Sequence, residues 1–146
     1  MDLDTRVKLA VYHYFAQSGL APLASELATH LSMKEADVLA CWGRLRQNRV
    51  LWLEPDGRSI RMAPPFSAIP TQHQVEVDGK QYFANCAWDA LGIPAALKKP
   101  GKITSRCEQS GEPLEMDVRL DQPPESDWLF HCLVPTARWW NDLPFT

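Results

Sequence analysis

The N-terminal part of the chain has apolar residues at helical spacing in three successive segments. Residues 5–17 and 23–31 each carry an apolar stripe, which predicts two amphipathic helices. Ser32 precedes Glu35 by three positions in the pattern of a capping box, so we expect a third helix that runs to about Asn48. The side chains predicted to be buried are Val7, Ala10, Val11, Tyr14, Phe15, Leu23, Leu27, Ala28, Leu31, Ala36, Val38, Leu39, Trp42 and Leu45.

Two short β-prone runs follow the predicted helices. Residues 50–54 and 58–62 flank Pro55-Asp56-Gly57, which is a hairpin turn signal. Three helices followed by a two-stranded hairpin form a winged-helix layout. We therefore expect residues 1–62 to be a winged-helix-like domain, kept as a packing scaffold or as a cover for a site.

A proline-rich segment separates this part from a second pattern. Residues 63–72 contain prolines that fix the backbone and remove hydrogen-bond donors, which predicts an extended linker. Residues 73–77 and 80–84 then alternate around Asp78-Gly79, which predicts a tight β-hairpin. Residues 73–146 are therefore expected to form a small mixed β-sheet core, and the fold class is predicted to be α+β.

The stretch NCAWDALGIP places a thiol and a carboxylate at the start of a short predicted helix. Asn85 is a suitable N-cap, while Gly92 and Pro94 are placed to end the helix. Cys86 would then lie in the first turn, where free N–H groups favour a thiolate and a lowered thiol pKa. Asp89 follows three residues later on the same face. By itself, this pattern is more often a buried cysteine near a surface acid.

The later part of the chain offers further candidate residues. Residues 128–134 alternate like a strand, which predicts that Phe130, Cys132 and Val134 share one core-facing side. Cys132 would then be a packing residue, or it would approach Cys86. His73 and His131 are candidate metal ligands or ordinary histidines, and neither has a second ligand close in sequence.

The composition of the chain excludes several classes of protein. The chain has 146 residues, of which 45% are apolar, and this content suits a packed globule. Its four cysteines include no Cys-x-x-Cys pair, which argues against a zinc knuckle. We see neither a membrane-spanning run nor a secretory signal, so we expect no membrane association and a cytoplasmic location.

The net charge of −3 is unevenly distributed. Residues 1–62 hold eight Lys/Arg against seven Asp/Glu, whereas residues 63–146 hold seven against eleven. A DNA-reading helix usually carries a larger positive excess, so DNA is a conceivable partner that the charge does not favour. Trp139 and Trp140 are expected to cover the core rather than to stack on nucleic-acid bases.

The run KQYFANCAWDALGIPAALKKPGKITSRCEQSGEPLEM resembles the core of the organomercurial (alkylmercury) lyase family. Proline-rich and tryptophan-rich segments on either side of the run also resemble a shorter branch of that family. The matching features are Tyr82, Cys86-Ala87-Trp88-Asp89, Ile93-Pro94-Ala95, Ser105-Arg106-Cys107 and Ser110-Gly111-Glu112-Pro113. The resemblance covers essentially the whole chain, and it implies a winged-helix-like domain before the core.

The resemblance also implies chemistry. It assigns Cys86 as a mercury-binding thiolate, Asp89 as the group that takes a proton from a thiol and passes it to carbon, and Cys107 as a structural cysteine. It implies no cofactor, with mercury as the metal of substrate and product. Soft Hg(II) prefers thiolate ligands, so small thiols are expected as partners.

One feature of the family is missing from the sequence. The family's second catalytic cysteine would follow the position of Thr146, where the sequence ends, so we expect a short or C-terminally truncated member. Cys132 is the candidate second thiol and, with Cys86, a candidate mercury ligand. A homodimer is also expected if apolar surface is left exposed.

Alternative functions remain open at this stage. The protein would be a lyase that cleaves carbon–mercury bonds, or a non-catalytic protein that binds soft metals such as mercury or copper. It would otherwise be a winged-helix regulator that senses through Cys86, or a truncated lyase copy without a role.

Overall fold

The structure is a computed structural model that describes residues 1–145, so Thr146 and the expectation attached to it lie outside the described residues. Helices combine with antiparallel sheets, which confirms the predicted α+β class. The chain divides into two compact units, and the second begins at Pro70. Within the described residues, no helix has the length and apolar character that spanning a membrane would need.

The first unit contains three helices and a small antiparallel sheet. The elements are α1 (Leu3–Ser18), α2 (Ala24–Leu31), α3 (Glu35–Gln47), β1 (Trp52–Leu53), β2 (Ile60–Ala63) and β3 (Phe66–Ser67). Its buried side chains include Val7, Phe15, Leu27, Val38 and Trp42, which follow the predicted helical stripes. Two positions that we predicted to be buried, Leu23 and Ala36, are exposed.

The start of the third helix differs from the prediction. Ser32 does not cap α3, because it ends α2 in a left-handed conformation with φ 54°. Its backbone N–H bonds the carbonyls of Ala28 and Thr29, which fixes it as a C-cap. Lys34 occupies the N-cap of α3 without a side-chain hydrogen bond. The capping-box pattern was therefore a coincidence of spacing.

Part of the predicted linker belongs to the first unit. Phe66 and Ser67 form β3, which pairs with β2 through Ala63 and Phe66. The Phe66 ring is buried and stacks on Phe15 with centroids 5.4 Å apart. Burial of this aromatic side chain explains why the segment packs as a strand and does not behave as a free linker.

The second unit is a four-stranded sheet covered on one face by a helix. Its strands are β4 (His73–Val77), β5 (Lys80–Ala84), β6 (Gly101–Arg106) and β7 (Pro113–Val118), in the order β5-β4-β6-β7. All pairings are antiparallel, whereas we expected a sheet with both parallel and antiparallel pairings. Alternate residues His73, Val75 and Val77 are buried on one face of the central strand.

The covering helix is α4 (Ala87–Leu97), and it is longer than predicted. Gly92 and Pro94 lie inside it, and the helix ends at Lys98, which has φ 53°. An interior glycine costs about 1 kcal/mol and an interior proline about 3 kcal/mol relative to alanine. Ile93 and Pro94 are fully buried, and this tertiary packing offsets the poor local propensity.

The C-terminal segment does not form the predicted strand. Residues 119–135 contain neither helix nor strand, and a 3-10 helix follows at Thr136–Asn141. Leu129 is 91% exposed and Leu133 is 80% exposed. A strand needs a neighbouring strand to accept and donate its backbone hydrogen bonds, and this run pairs with none of the four strands of the sheet.

Replacement of Gly101 by alanine should destabilise the second unit. An added Cβ would lie 2.9 Å from the Glu76 carbonyl oxygen, 2.9 Å from Val77 Cγ2 and 3.1 Å from Pro94 Cγ. Such overpacking typically costs about 1–3 kcal/mol of unfolding free energy. Urea unfolding followed by circular dichroism measures the loss, and an unchanged unfolding midpoint would contradict it.

Gly43→Ala is the matched control for this substitution. Gly43 lies inside α3, and nothing lies within 4 Å of its added Cβ. Alanine should therefore stabilise the helix by about 0.5–1 kcal/mol, which is the opposite sign.

Candidate functional site

The candidate site lies where the chain leaves β5 and enters α4. Cys86 is the N-cap residue of α4, with an extended backbone at φ −144° and ψ 175°. Asn85 is therefore not the cap that we predicted. Its side-chain amide instead donates a hydrogen bond to the Leu143 carbonyl oxygen over 3.1 Å. The hairpin register, which pairs His73 with Ala84, fixes this junction at one end of the sheet.

Cys86 and Asp89 form a direct pair across the first turn of α4. The Cys86 thiol donates to Asp89 Oδ2, with 3.7 Å between sulfur and oxygen. Both residues are half-buried. The i, i+3 spacing brings the two side chains together as the sequence predicted, because α4 is helical from Ala87 onward.

Burial controls the ionisation of this pair. It raises the pKa of the Cys86 thiol to about 11, and the neighbouring Asp89 charge adds to the increase. The backbone N–H groups of Asp89 and Trp88 favour the thiolate and so lower the thiol pKa, but burial and the Asp89 charge outweigh them. The expected lowering of the thiol pKa is therefore wrong, because desolvation and a nearby carboxylate exceed the effect of the helix start.

Asp89 shifts in the same direction. Burial raises its pKa to about 6, and the hydrogen bond from Cys86 only partly opposes this. At neutral pH the pair is thus a protonated thiol beside a carboxylate that is mostly ionised. This arrangement provides a proton acceptor 3.7 Å from the sulfur that would bind a metal.

Cys107 lies just beyond β6, in the turn that leads to β7. Its backbone N–H donates to the Glu112 carbonyl over 2.9 Å, and its carbonyl accepts from Gly111 N–H over 2.8 Å. Hydrogen bonds from the Ser110 hydroxyl and from backbone N–H groups lower the pKa of its thiol. These contacts tie Cys107 to the turn, and its structural role stays a prediction.

Cys132 does not lie in a buried strand. It is exposed, and its thiol donates to the Val134 carbonyl within the same segment over 2.8 Å. The interpretation of Cys132 as a core residue is therefore wrong, because its segment has no strand partner. The nearby Phe130 ring lies 5.7 Å from the Trp88 ring, centroid to centroid. The segment that carries Cys132 thus reaches the first turn of α4.

His73 has partners that the sequence analysis missed. Its Nδ1 lies 2.7 Å from Ser105 Oγ, and its Nε2 lies 3.7 Å from Glu108 Oε1. Burial lowers the pKa of His73. Only the pairing of β4 with β6 brings His73 and Ser105 together, and no local sequence signal predicts that pairing. His131 is exposed.

No group of three or more potential metal ligands occurs within residues 1–145. The four cysteines are free thiols.

Comparison with known proteins decides the family. The family model described as alkylmercury lyase matches residues 66–145, which is more than half of the chain. The chain belongs to the alkylmercury lyase family. The resemblance carried by the Cys86–Asp89 segment is thereby confirmed.

Individual alkylmercury lyases match parts of the chain. The Streptomyces lividans enzyme is 45% identical over 53 residues, which are 36% of this chain and 25% of that protein. The Bacillus cereus enzyme is 38% identical over 69 residues, or 47% of this chain and 31% of that protein. The Pseudomonas putida enzyme is 42% identical over 70 residues, or 46% of this chain and 33% of that protein. The chain therefore matches about a quarter to a third of the length of these alkylmercury lyases.

The fold of this chain also resembles that of a solved structure. A crystal structure described as the mercury-bound form of MerB2 aligns with a TM-score of 0.65 and 28% sequence identity. The alignment covers 82% of this chain and 57% of that one. The fold is therefore shared over most of the chain.

Asp89→Asn should stabilise the protein at neutral pH but not in acid. Because the folded-state pKa of Asp89 is raised to about 6, folding favours its protonated form. This preference stabilises the folded state fully below the unfolded-state pKa of Asp89. The stabilisation is lost as pH rises through about 6. The neutral amide should add on the order of 1–3 kcal/mol to the unfolding free energy at pH 7.5.

Urea unfolding of Asp89→Asn and the unmodified protein at pH 7.5 and pH 4 measures this difference. Glu76→Gln is the matched control, since Glu76 is exposed on β4. A stability gain for Asp89→Asn that is equal at both pH values would contradict the assigned pKa.

Proposed function

We propose that this protein cleaves carbon–mercury bonds by protonolysis, with Cys86 binding mercury and Asp89 carrying the proton. The observation that carries the proposal is the direct Cys86–Asp89 pair, with the sulfur 3.7 Å from Oδ2. Membership of the alkylmercury lyase family supports it, and so does the similarity to a structure described as mercury-bound. The pair offers a thiol for the soft metal and a carboxyl with a raised pKa for the proton, and the reaction needs both groups.

The first proposed step is capture of the organomercurial. In R–Hg–X, where X is an anionic leaving group such as chloride, the Cys86 sulfur forms a bond to mercury while X leaves as its anion. The thiol proton passes to the Asp89 carboxylate, which is mostly ionised at neutral pH because its pKa is about 6. The products of this step are Cys86–S–Hg–R, protonated Asp89 and the anion. Proton transfer to Asp89 thus removes the need for a preformed thiolate at Cys86.

The second proposed step breaks the carbon–mercury bond. Protonated Asp89 gives its proton to the carbon, and the electron pair of the carbon–mercury bond forms the new C–H bond. The hydrocarbon R–H leaves, and Hg(II) stays on the Cys86 sulfur beside the regenerated carboxylate. Burial favours this step, because it keeps the proton on Asp89 at a higher pH than an exposed carboxyl would allow.

A second thiol then completes the coordination of mercury. We propose Cys132 for this role when no small thiol is present, because its segment contacts α4 through Phe130 and Trp88. A small thiol from solution would otherwise accept the metal. Each thiol loses its proton on binding Hg(II), so the step releases one proton.

The other functional hypotheses receive less support from the described residues. On and beside α3, Arg44 pairs with Asp4, Arg58 pairs with Glu35, and Arg46 lies over Trp52 at 4.3 Å. Three of the cations on and beside α3 are therefore paired within the first unit, whereas a winged-helix DNA reader would direct such cations at phosphates. Non-catalytic binding of a soft metal remains the alternative that the activity assay distinguishes.

Incubation with methylmercury and excess small thiol should release methane, measured by headspace gas chromatography. Cys86→Ser should reduce release to background, because the harder oxygen binds Hg(II) poorly. Asp89→Asn should lower the rate by about 10²–10⁴-fold, which is the usual range for a general acid–base group. The matched control, Cys107→Ser, should leave the rate unchanged.

Mercury retained by the unmodified protein and lost from Cys86→Ser, with no methane released, would refute the lyase proposal. That result would identify a metal-binding protein instead.

Cys132→Ser should reveal the second thiol when no small thiol is added. Under those conditions the unmodified protein should keep Hg(II) after one turnover, whereas the variant should lose it to a chelating resin faster. Excess small thiol should remove the difference, because it replaces the missing ligand. Equal mercury retention by the two proteins without added thiol would exclude Cys132 from the coordination.

A further inference from the structure

Two exposed aromatic rings meet beside the candidate site. The Trp88 and Phe130 rings are 5.7 Å apart, centroid to centroid, with a tilt of 45°. Trp88 is 55% exposed and Phe130 is 45% exposed, so the pair is not part of the packed core. Exposed apolar patches on a protein surface often mark sites of recognition.

One ring of the pair belongs to Trp88, which follows Cys86 by two residues at the start of α4. Trp88 lies between Cys86 and Asp89 in the first turn of α4. On the other side of Cys86, the Asn85 amide holds the Leu143 carbonyl. The C-terminal segment therefore contacts Asn85 and Trp88, which lie on either side of Cys86 in the sequence.

Mercury chemistry determines where the organic group of a bound substrate would lie. Two-coordinate Hg(II) is close to linear, so an organic group on mercury projects away from the sulfur that binds the metal. Cys86 is itself half-buried, so the projecting group would lie close to side chains of the first turn of α4 and of the C-terminal segment. An aryl group would stack against one ring or meet its edge, as aromatic pairs do at centroid distances of about 4.5–7 Å. A methyl group is too small to make such a contact.

We infer that Trp88 and Phe130 form a recognition site for the organic group of the substrate and make the protein selective for arylmercury over alkylmercury compounds. This inference rests on the proposed function only in using Cys86 as the mercury ligand. Trp88 and Phe130 act as specificity residues, and neither handles the proton.

The test is thiol exchange at equilibrium, which requires no turnover. Phenylmercury or methylmercury bound to a small thiol is mixed with protein, and the exchange R–Hg–SR′ + Cys86–SH → Cys86–S–Hg–R + R′SH is measured. Protein-bound mercury is separated by rapid gel filtration and quantified for each compound. Hydrocarbon release is recorded separately, so selectivity and catalysis are measured independently.

The unmodified protein should favour phenylmercury by roughly 3- to 10-fold in its exchange constant, in line with the strength of one aromatic contact. Trp88→Ala and Phe130→Ala should each bring the ratio close to one, with methylmercury exchange nearly constant. Trp88→Phe should keep most of the preference, because it keeps an aromatic face. Leu129→Ala is the matched control, since this 91% exposed neighbour of Phe130 should not affect the ratio.

Several results would overturn the inference. One is an equal exchange constant for both compounds with the unmodified protein. Another is an aryl preference that survives both alanine variants, and a third is exchange that does not depend on Cys86. An aryl preference that is lost in the alanine variants, without any hydrocarbon release, would support the recognition site while refuting the lyase proposal.

Discussion

Packing of α4 against the four-stranded sheet is the constraint on which the site depends. Ala90, Ile93 and Pro94 are fully buried, and they hold the helix on the face formed by Val75 and its alternate neighbours. Gly101 on β6 allows the close approach, because any side chain there would meet Pro94 and the backbone of β4. With the helix axis fixed in this way, Cys86 and Asp89 are brought together at its first turn.

The same packing determines the electrostatics of the pair. A helix start in water would favour a thiolate at Cys86, but here the half-buried setting and Asp89 reverse the direction of the pKa shift. The outcome is a protonated thiol that donates a hydrogen bond to a carboxylate, with the pKa values of both groups raised. Such a pair is suited to a reaction in which the incoming metal displaces the proton and the proton is used again one step later.

Local signals in the sequence predicted much of this structure. The three-helix pattern, the hairpin around Asp78-Gly79 and the i, i+3 contact of Cys86 with Asp89 all depend on short-range spacing, which the sequence displays. Errors arose where tertiary packing outweighs propensity. Gly92 and Pro94 continue a helix because the burial of Ile93 and Pro94 offsets its local cost.

Long-range contacts could not be predicted from the sequence. The His73–Ser105 pair depends on β4 lying next to β6. The contact of Phe130 with Trp88 depends on a segment of irregular structure, for which no periodicity exists. The apolar run at residues 128–134 looked like a strand, but no sheet edge receives it. Each of these features requires knowledge of which elements are neighbours in space.

The high pKa of the Cys86 thiol has a consequence for survival of the site under oxidative stress. Peroxides attack the thiolate, and a thiol with a pKa of about 11 contains very little thiolate at neutral pH. In the proposed mechanism, mercury compounds would not require a preformed thiolate, since Asp89, 3.7 Å from the sulfur, would accept the proton as the metal binds. A cysteine in this environment would resist peroxide while it stays open to a soft electrophile, so the burial that makes the sulfur less acidic also protects it chemically.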